Sequence, residues 1–260
     1  MHPGAWILWS LGAALVTMST TNPFYLLPVL GAAWAVHAAH RKVGPQARSF
    51  RIFLAFGAMT IVTRTLLVFL FPASVSIEAI ANAFLEGLRL AVLLTVFGAF
   101  NSVADPFGVL RLAPRKFHEP ALAAALALSI APRTIAAVGR VREAQRMRGI
   151  HIARLRSLPA LAVPVLETGM EEAVVLAESM DARGHGRGRR TRYRPQSWDG
   201  LSLATAGVGV VAAGVFGAAL VDGEALSVST FPLRWPDASL ALVAGACLLG
   251  LPAFLRAAHD

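Results

Sequence analysis

Six apolar runs, separated by gaps that are alternately basic and nearly free of positive charge, constrain this chain more than any other feature. The runs are roughly Ala5–Met18, Pro23–Ala39, Ile52–Phe71, Phe84–Ala104, Leu201–Val221 and Ala238–Leu255. A helix crossing a hydrocarbon core ~30 Å thick needs about 20 residues at ~1.5 Å each. The last four runs are long enough. The first two are short, which predicts a tight helical hairpin turning at Thr20-Thr21-Asn22-Pro23. Met1-His2 offers no positive n-region and no small-residue cleavage site follows, so the first run is expected to be a span and not a secretory signal.

The gaps give an orientation. Arg41, Lys42, Arg48 and Arg51 lie between the second and third runs, and Arg111, Arg115 and Lys116 follow the fourth. Thirteen arginines fall between Arg133 and Arg194, and Arg256 sits near the C-terminal end. The other gaps, at Thr21, at Pro72–Glu78 and at Asp222–Asp237, hold Arg234 as their one basic residue. Cytoplasmic loops collect lysine and arginine, so this alternation implies six spans with both termini in the cytosol. Composition agrees: 56% of the residues are hydrophobic, 15% are charged, and mean hydropathy is +0.60. A soluble domain carries about 25% charged residues. The expected class is therefore all-α, a multi-pass protein of the cytoplasmic membrane with about six transmembrane helices. Its parts are residues 1–104 and 201–260 as membrane helices and residues 105–200 as a cytoplasmic region.

That cytoplasmic region is not hydrophilic. Ala121–Ala131 and Leu158–Leu166 are as apolar as the spans, and each runs into a charged half, Arg133–Arg148 and Glu167–Asp181. Alanine, leucine, glutamate and arginine favour helix. Two long helices are predicted, with Pro132 bending the first and Pro159 and Pro164 opening the second. Glu167, Glu171 and Glu178 form one stripe at helical spacing, which as it stands is a solvated face. Apolar surface on cytoplasmic helices must be covered by the spans, by the lipid boundary or by a partner. Reading Pro120–Val138 as a seventh span would carry Arg140–Arg156 to the outer side, against the arginine distribution.

Both helices close on the same residues. Met147-Arg148-Gly149 ends the first and Ala182-Arg183-Gly184 the second. Glycine just past a helix takes a left-handed conformation at no Cβ cost, and arginine in the last turn complements the helix dipole. Capping explains one such end; two on consecutive helices point further. An arginine on a rigid tip can bind a carboxylate or carbonyl groups of a partner.

These two X-Arg-Gly ends, with the continuation Gly184–Tyr193, resemble the paired signatures of the T component of energy-coupling-factor (ECF) transporters, the EcfT/CbiQ-type family. His2-Pro3-Gly4 and Thr21-Asn22-Pro23 are similar to that family as well. Met147 stands where alanine is often found. The resemblance implies a non-catalytic membrane scaffold, without cofactor, beneath which two ABC-type ATPases dock. Arg148 and Arg183 would be the docking arginines, within Met147–Gly149 and Ala182–Gly184. The apolar faces of the coupling helices, with Leu122, Leu126, Leu161 and Val165, would hold a substrate-binding membrane S component. ATP-driven closure would move these helices and release a vitamin or metal ion inward.

Other features are weaker. The glycine–arginine run Arg183–Arg194 lacks a P-loop pattern and suits anionic lipid at a membrane boundary better than nucleic acid. His118, His151 and His185 have no ligand spacing, and the single Cys247 excludes an intrachain disulfide, so no metal site is expected. Glu86 and Arg89 are spaced to pair on one helix, Arg64 lies within an apolar run, and Asp105-Pro106 reads as an N-cap followed by a first helical residue. A different permease with its own substrate pathway would need polar residues clustered in the spans, which are mostly Ala, Leu, Val and Gly. A membrane-embedded enzyme would need a nucleophile or acid–base constellation at a span end, and none is evident.

Overall fold

A computed structural model describes residues 1–40, 45–70, 75–149, 158–185, 197–223, 226–229 and 236–255. Among these there is helix and no strand. The helices are α1 (Pro3–Ser19), α2 (Pro23–His40), α3 (Pro45–Phe69), α4 (Ile77–Val103), α5 (Pro106–Leu110), α6 (His118–Met147), α7 (Leu158–Ala182), α8 (Gly200–Val221) and α9 (Leu240–Leu248). Short 3₁₀ turns cover Arg115–Phe117 and Leu251–Ala253. The chain divides into two compact units, Met1–Val109 with Gln196–Asp260, and Leu110–Pro195.

The first unit holds the core. α1 packs on α8 and α4, α2 on α4 and α9, and α3 chiefly on α4. Trp9, Leu26, Val36, Val92, Val96, Phe216 and Leu249 are fully buried there. The indole N–H of Trp9 donates to the Leu249 carbonyl at 3.0 Å, so the polar atom of a buried ring is satisfied. α1 and α8 cross at Gly12 and Gly209, whose backbones touch. A Cβ on Gly12 would overlap the Gly209 carbonyl oxygen, and one on Gly209 would lie 2.6 Å from Trp9 Cα. Small residues at such a crossing allow the close approach that van der Waals packing between membrane helices depends on.

The expected α1–α2 hairpin takes another form. The two helices are joined by Thr20-Thr21-Asn22 alone, yet they pack mainly on other helices and little on each other. The link instead holds the connection between α8 and α9. Thr20 Oγ1 donates to the Leu226 carbonyl at 2.6 Å, and Asn22 Nδ2 donates to the Asp237 carbonyl at 2.7 Å. Thr21 Oγ1 accepts from the Val228 amide at 3.2 Å, and the Tyr25 hydroxyl accepts from the Ser239 amide at 2.9 Å. Thr20 and Asn22 are buried, so these bonds satisfy groups that would otherwise be costly in an apolar interior.

Among the described residues four helices are long and apolar enough to cross a membrane: Ser49–Phe69, Ile77–Val103, His118–Met147 and Gly200–Val221. Pro3–Ser19 and Leu240–Ala253 are shorter apolar helices. α6 thus meets the same length and composition criterion as three of the six expected spans, because its alanine–leucine half is as apolar as theirs. Pro164 lies inside α7 and not in its first turn, and α6 continues through Pro132.

The smaller expectations for the first unit hold. Asp105 Oδ1 accepts from the Phe107 amide at 3.3 Å at the start of α5. Glu86 and Arg89 pair at 3.9 Å, and an Arg89 Nη also donates to the Met18 carbonyl at the end of α1. Arg64 is exposed on α3.

Candidate functional site

The second unit is built differently. α6 and α7 pack on each other, and α6 contains no buried residue. Both helices are apolar at one end and charged at the other, and the charged ends carry the candidate site.

α6 ends at Met147, and Arg148 is its cap residue. The Arg148 amide donates to the carbonyls of Ala144 and Gln145 at 3.2 and 3.1 Å, and the Gly149 amide to that of Arg146 at 3.0 Å. Gly149 has φ +77°. α7 ends at Ala182, and Arg183 occupies the corresponding position. Its amide donates to the Ser179 carbonyl at 3.2 Å, the Gly184 amide to Asp181 at 2.8 Å, and the His185 amide to Met180 at 2.9 Å. Gly184 has φ +76°. The last two bonds make a Schellman cap, in which a left-handed glycine lets two amides fold back on the final carbonyls. A side chain at either glycine would cost about 1 kcal/mol or more.

The two glycines are spent on backbone geometry, and this leaves each arginine at the residue before a left-handed glycine that ends its helix. Arg148 and Arg183 are exposed, as are Met147 and Ala182; Met147 is 84% exposed. Each tip presents a guanidinium beside a small or flexible apolar side chain. Guanidinium donors in a planar fork suit a carboxylate or a set of carbonyl oxygens, and a capped helix end restricts how far the backbone beneath can move.

The four apolar residues expected on the coupling faces are not freely presented. Leu122, Leu126, Leu161 and Val165 are all half-buried. Gly186–Tyr193, and with it the arginine run as far as Arg194, lies outside the described residues, as does His151. No group of three or more His, Cys, Asp or Glu side chains among the described residues could hold a metal ion. Sequence reasoning missed the roles of Thr20, Asn22 and Tyr25 in holding the α8–α9 connection. Their local signal is that of a turn, and their partners lie more than 200 residues away. It also missed the buried His37, which bonds Ser102 Oγ at 2.8 Å and stacks on Phe50 at 3.8 Å.

No family model matches the chain. Three curated proteins, each an energy-coupling factor transporter transmembrane protein EcfT, are similar to it. The one from Exiguobacterium sibiricum is 27% identical over 158 residues, 48% of this chain and 59% of its own length. That from Bacillus selenitireducens is 29% identical over 48% of this chain and 53% of its own length. That from Heliobacterium modesticaldum is 30% identical over 56% of this chain and 60% of its own length. The matches thus span little more than half the length of these relatives. Five curated EcfT proteins, 27–32% identical over about 40–55% of the chain, together support an EcfT-type T component.

Proposed function

We propose that this chain is the coupling subunit of an ECF importer, a non-catalytic scaffold that carries the motion of separate ATPases to a substrate-binding membrane subunit. Two ABC-type ATPases dock from the cytosol, one on Met147-Arg148-Gly149 and the other on Ala182-Arg183-Gly184. The S component rests against apolar faces of α6 and α7, where Leu122, Leu126, Leu161 and Val165 lie. ATP hydrolysis belongs to the ATPases, and the vitamin or metal ion belongs to the S component. In this reading residues 105–200 are the cytoplasmic coupling region. Residues 1–104 and 201–260 form the multi-pass part in the cytoplasmic membrane, with both termini in the cytosol and anionic lipid near the arginine-rich boundary.

The observation that carries the reading is the equivalence of the two tips. Two exposed arginines each stand just before a left-handed glycine at a helix end, on two helices of a single compact unit. Matched tips suit two copies of one kind of socket. Such an arginine, buried and hydrogen-bonded in the complex, contributes about 2–5 kcal/mol by truncation. Arg148→Glu or Arg183→Glu is expected to weaken ATPase retention when the tagged complex is purified from membranes, and the double variant to abolish it along with uptake. Retention of the ATPases at unchanged stoichiometry by the double variant overturns the assignment.

A further inference from the structure

The link between α4 and α6 differs in chemistry from the helices on either side. From Pro106 to Phe117 the chain reads Pro-Phe-Gly-Val-Leu-Arg-Leu-Ala-Pro-Arg-Lys-Phe, with the basic residues Arg111, Arg115 and Lys116 and no acidic one. Its second part is fixed by two turns. The Ala113 amide donates to the Leu110 carbonyl at 3.2 Å, and the Phe117 amide, at the end of the 3₁₀ turn Arg115–Phe117, to the Pro114 carbonyl at 2.9 Å. Arg111 and Lys116 are exposed. So are two apolar side chains next to them, Leu112 at 38% and Phe117 at 62%. Exposed phenylalanine is least costly where an apolar medium meets water, and exposed cations are stabilised beside anions. The headgroup layer of an anionic leaflet supplies both, with acyl chains directly beneath it.

The place of the link in the chain favours the same surface. α4 is long and apolar enough to cross a membrane, and Arg111 stands eight positions after its last residue, Val103. The link therefore begins where that span leaves the bilayer. A protein covering it would need an acidic rim around an apolar pocket, whereas chain continuity alone brings the bilayer within reach. The arginine run Arg183–Arg194 is a different kind of segment. It has no Leu, Ile, Val or Phe, so it can meet headgroups by charge only. Stable attachment to a membrane takes two signals, and the α4–α6 link carries both.

We propose that Arg111–Phe117 is a membrane anchor, with Leu112 and Phe117 inserted at the headgroup boundary and Arg111 and Lys116 on the phosphates of anionic phospholipid. This rests on the reading of α4 as a span, and in the orientation proposed above the leaflet is the inner one. Each basic residue near such a surface strengthens attachment about fivefold. Since α6 starts at His118, the anchor pins the beginning of that helix to the bilayer and makes it the fixed point of any movement of α6.

The test uses the full chain in lipid nanodiscs, with Cys247→Ser as background and a nitroxide label on Phe117→Cys. In discs of phosphatidylcholine mixed with phosphatidylglycerol, oxygen dissolved in the acyl region is expected to relax the label more than a water-soluble nickel chelate does. Arg111→Gln together with Lys116→Gln should lower the oxygen-to-nickel ratio by roughly threefold or more, as the loss of two cationic contacts implies. In phosphatidylcholine alone the same pair of changes should leave the ratio as it is. A label on Val210→Cys, at an exposed position of α8, should stay in lipid throughout and report an intact fold. The proposal is overturned by a Phe117 label that the nickel chelate reaches more readily than oxygen. A label sheltered from both, as under a protein partner, also overturns it, as does a double variant with an unchanged ratio in the mixed lipid. Failure of the ATPases to bind such discs, with the Phe117 label in lipid, sinks the docking reading of the arginine tips and leaves the anchor supported.

Discussion

At the scale of single residues, the buried Thr20 and Asn22 are informative because each has a partner far along the chain. Thr20 is 1% exposed and donates to the Leu226 carbonyl. Thr20→Val keeps the shape, removes the donor and leaves a carbonyl unsatisfied, which costs about 1–3 kcal/mol. A lower thermal midpoint in detergent is expected, and a wild-type midpoint for Thr20→Val would remove the clamp from the account of stability. The cap glycines act more locally. Gly184→Ala forces a side chain into a left-handed position at about 1 kcal/mol. It is expected to speed amide exchange in the last turn of α7 while leaving the first unit unchanged.

Elements in the first unit are held by shape. α1 and α8 meet at Gly12 and Gly209, where backbone lies on backbone and no flexible side chain can yield. Gly12→Val must push the helices apart, and overpacking of this kind costs about 1–3 kcal/mol or more. We expect a lower thermal midpoint for Gly12→Val than for the same change at Gly31 or Gly214, beside which a Cβ meets nothing within 4 Å. Equal midpoints would show that the crossing tolerates separation. α6 and α7 are the contrast. They are helical by composition, half-cover each other and leave apolar side chains such as Ile135 and Met170 at 70% exposure or above. Their stability in isolation rests on propensity and caps.

For the whole molecule the distribution of arginine predicts an orientation. With the exposed Cys247 changed to serine, a cysteine placed at Ser76 is expected to react with a membrane-impermeant reagent from outside the cell. One placed at Arg183 should react only after the inner face is opened. Labelling of Arg183→Cys in intact cells would invert the topology and remove the arginine tips from the cytosol.

Much of this was legible from local pattern. Helix class follows from alanine and leucine runs, the Asp105 cap and the Glu86–Arg89 pair from spacing, and the two tips from Arg-Gly beyond a helical segment, since such features depend on residues a few positions apart. What a helix touches is not local. Nothing in Pro3–Ser19 says that it packs on Gly200–Val221 more than on the next helix, or that Thr20 and Asn22 reach across to Leu226 and Asp237. Nor does period alone separate the two faces of α7. Leu161 and Val165 are apolar like Val163 and Val174, yet the first pair is half-buried and the second exposed. The sequence by itself determined which segments are helices and where their charged ends lie, because propensity, capping and hydropathy act within a turn or two. Only the tertiary structure decided which faces are covered, because burial depends on contacts between residues that the chain keeps far apart.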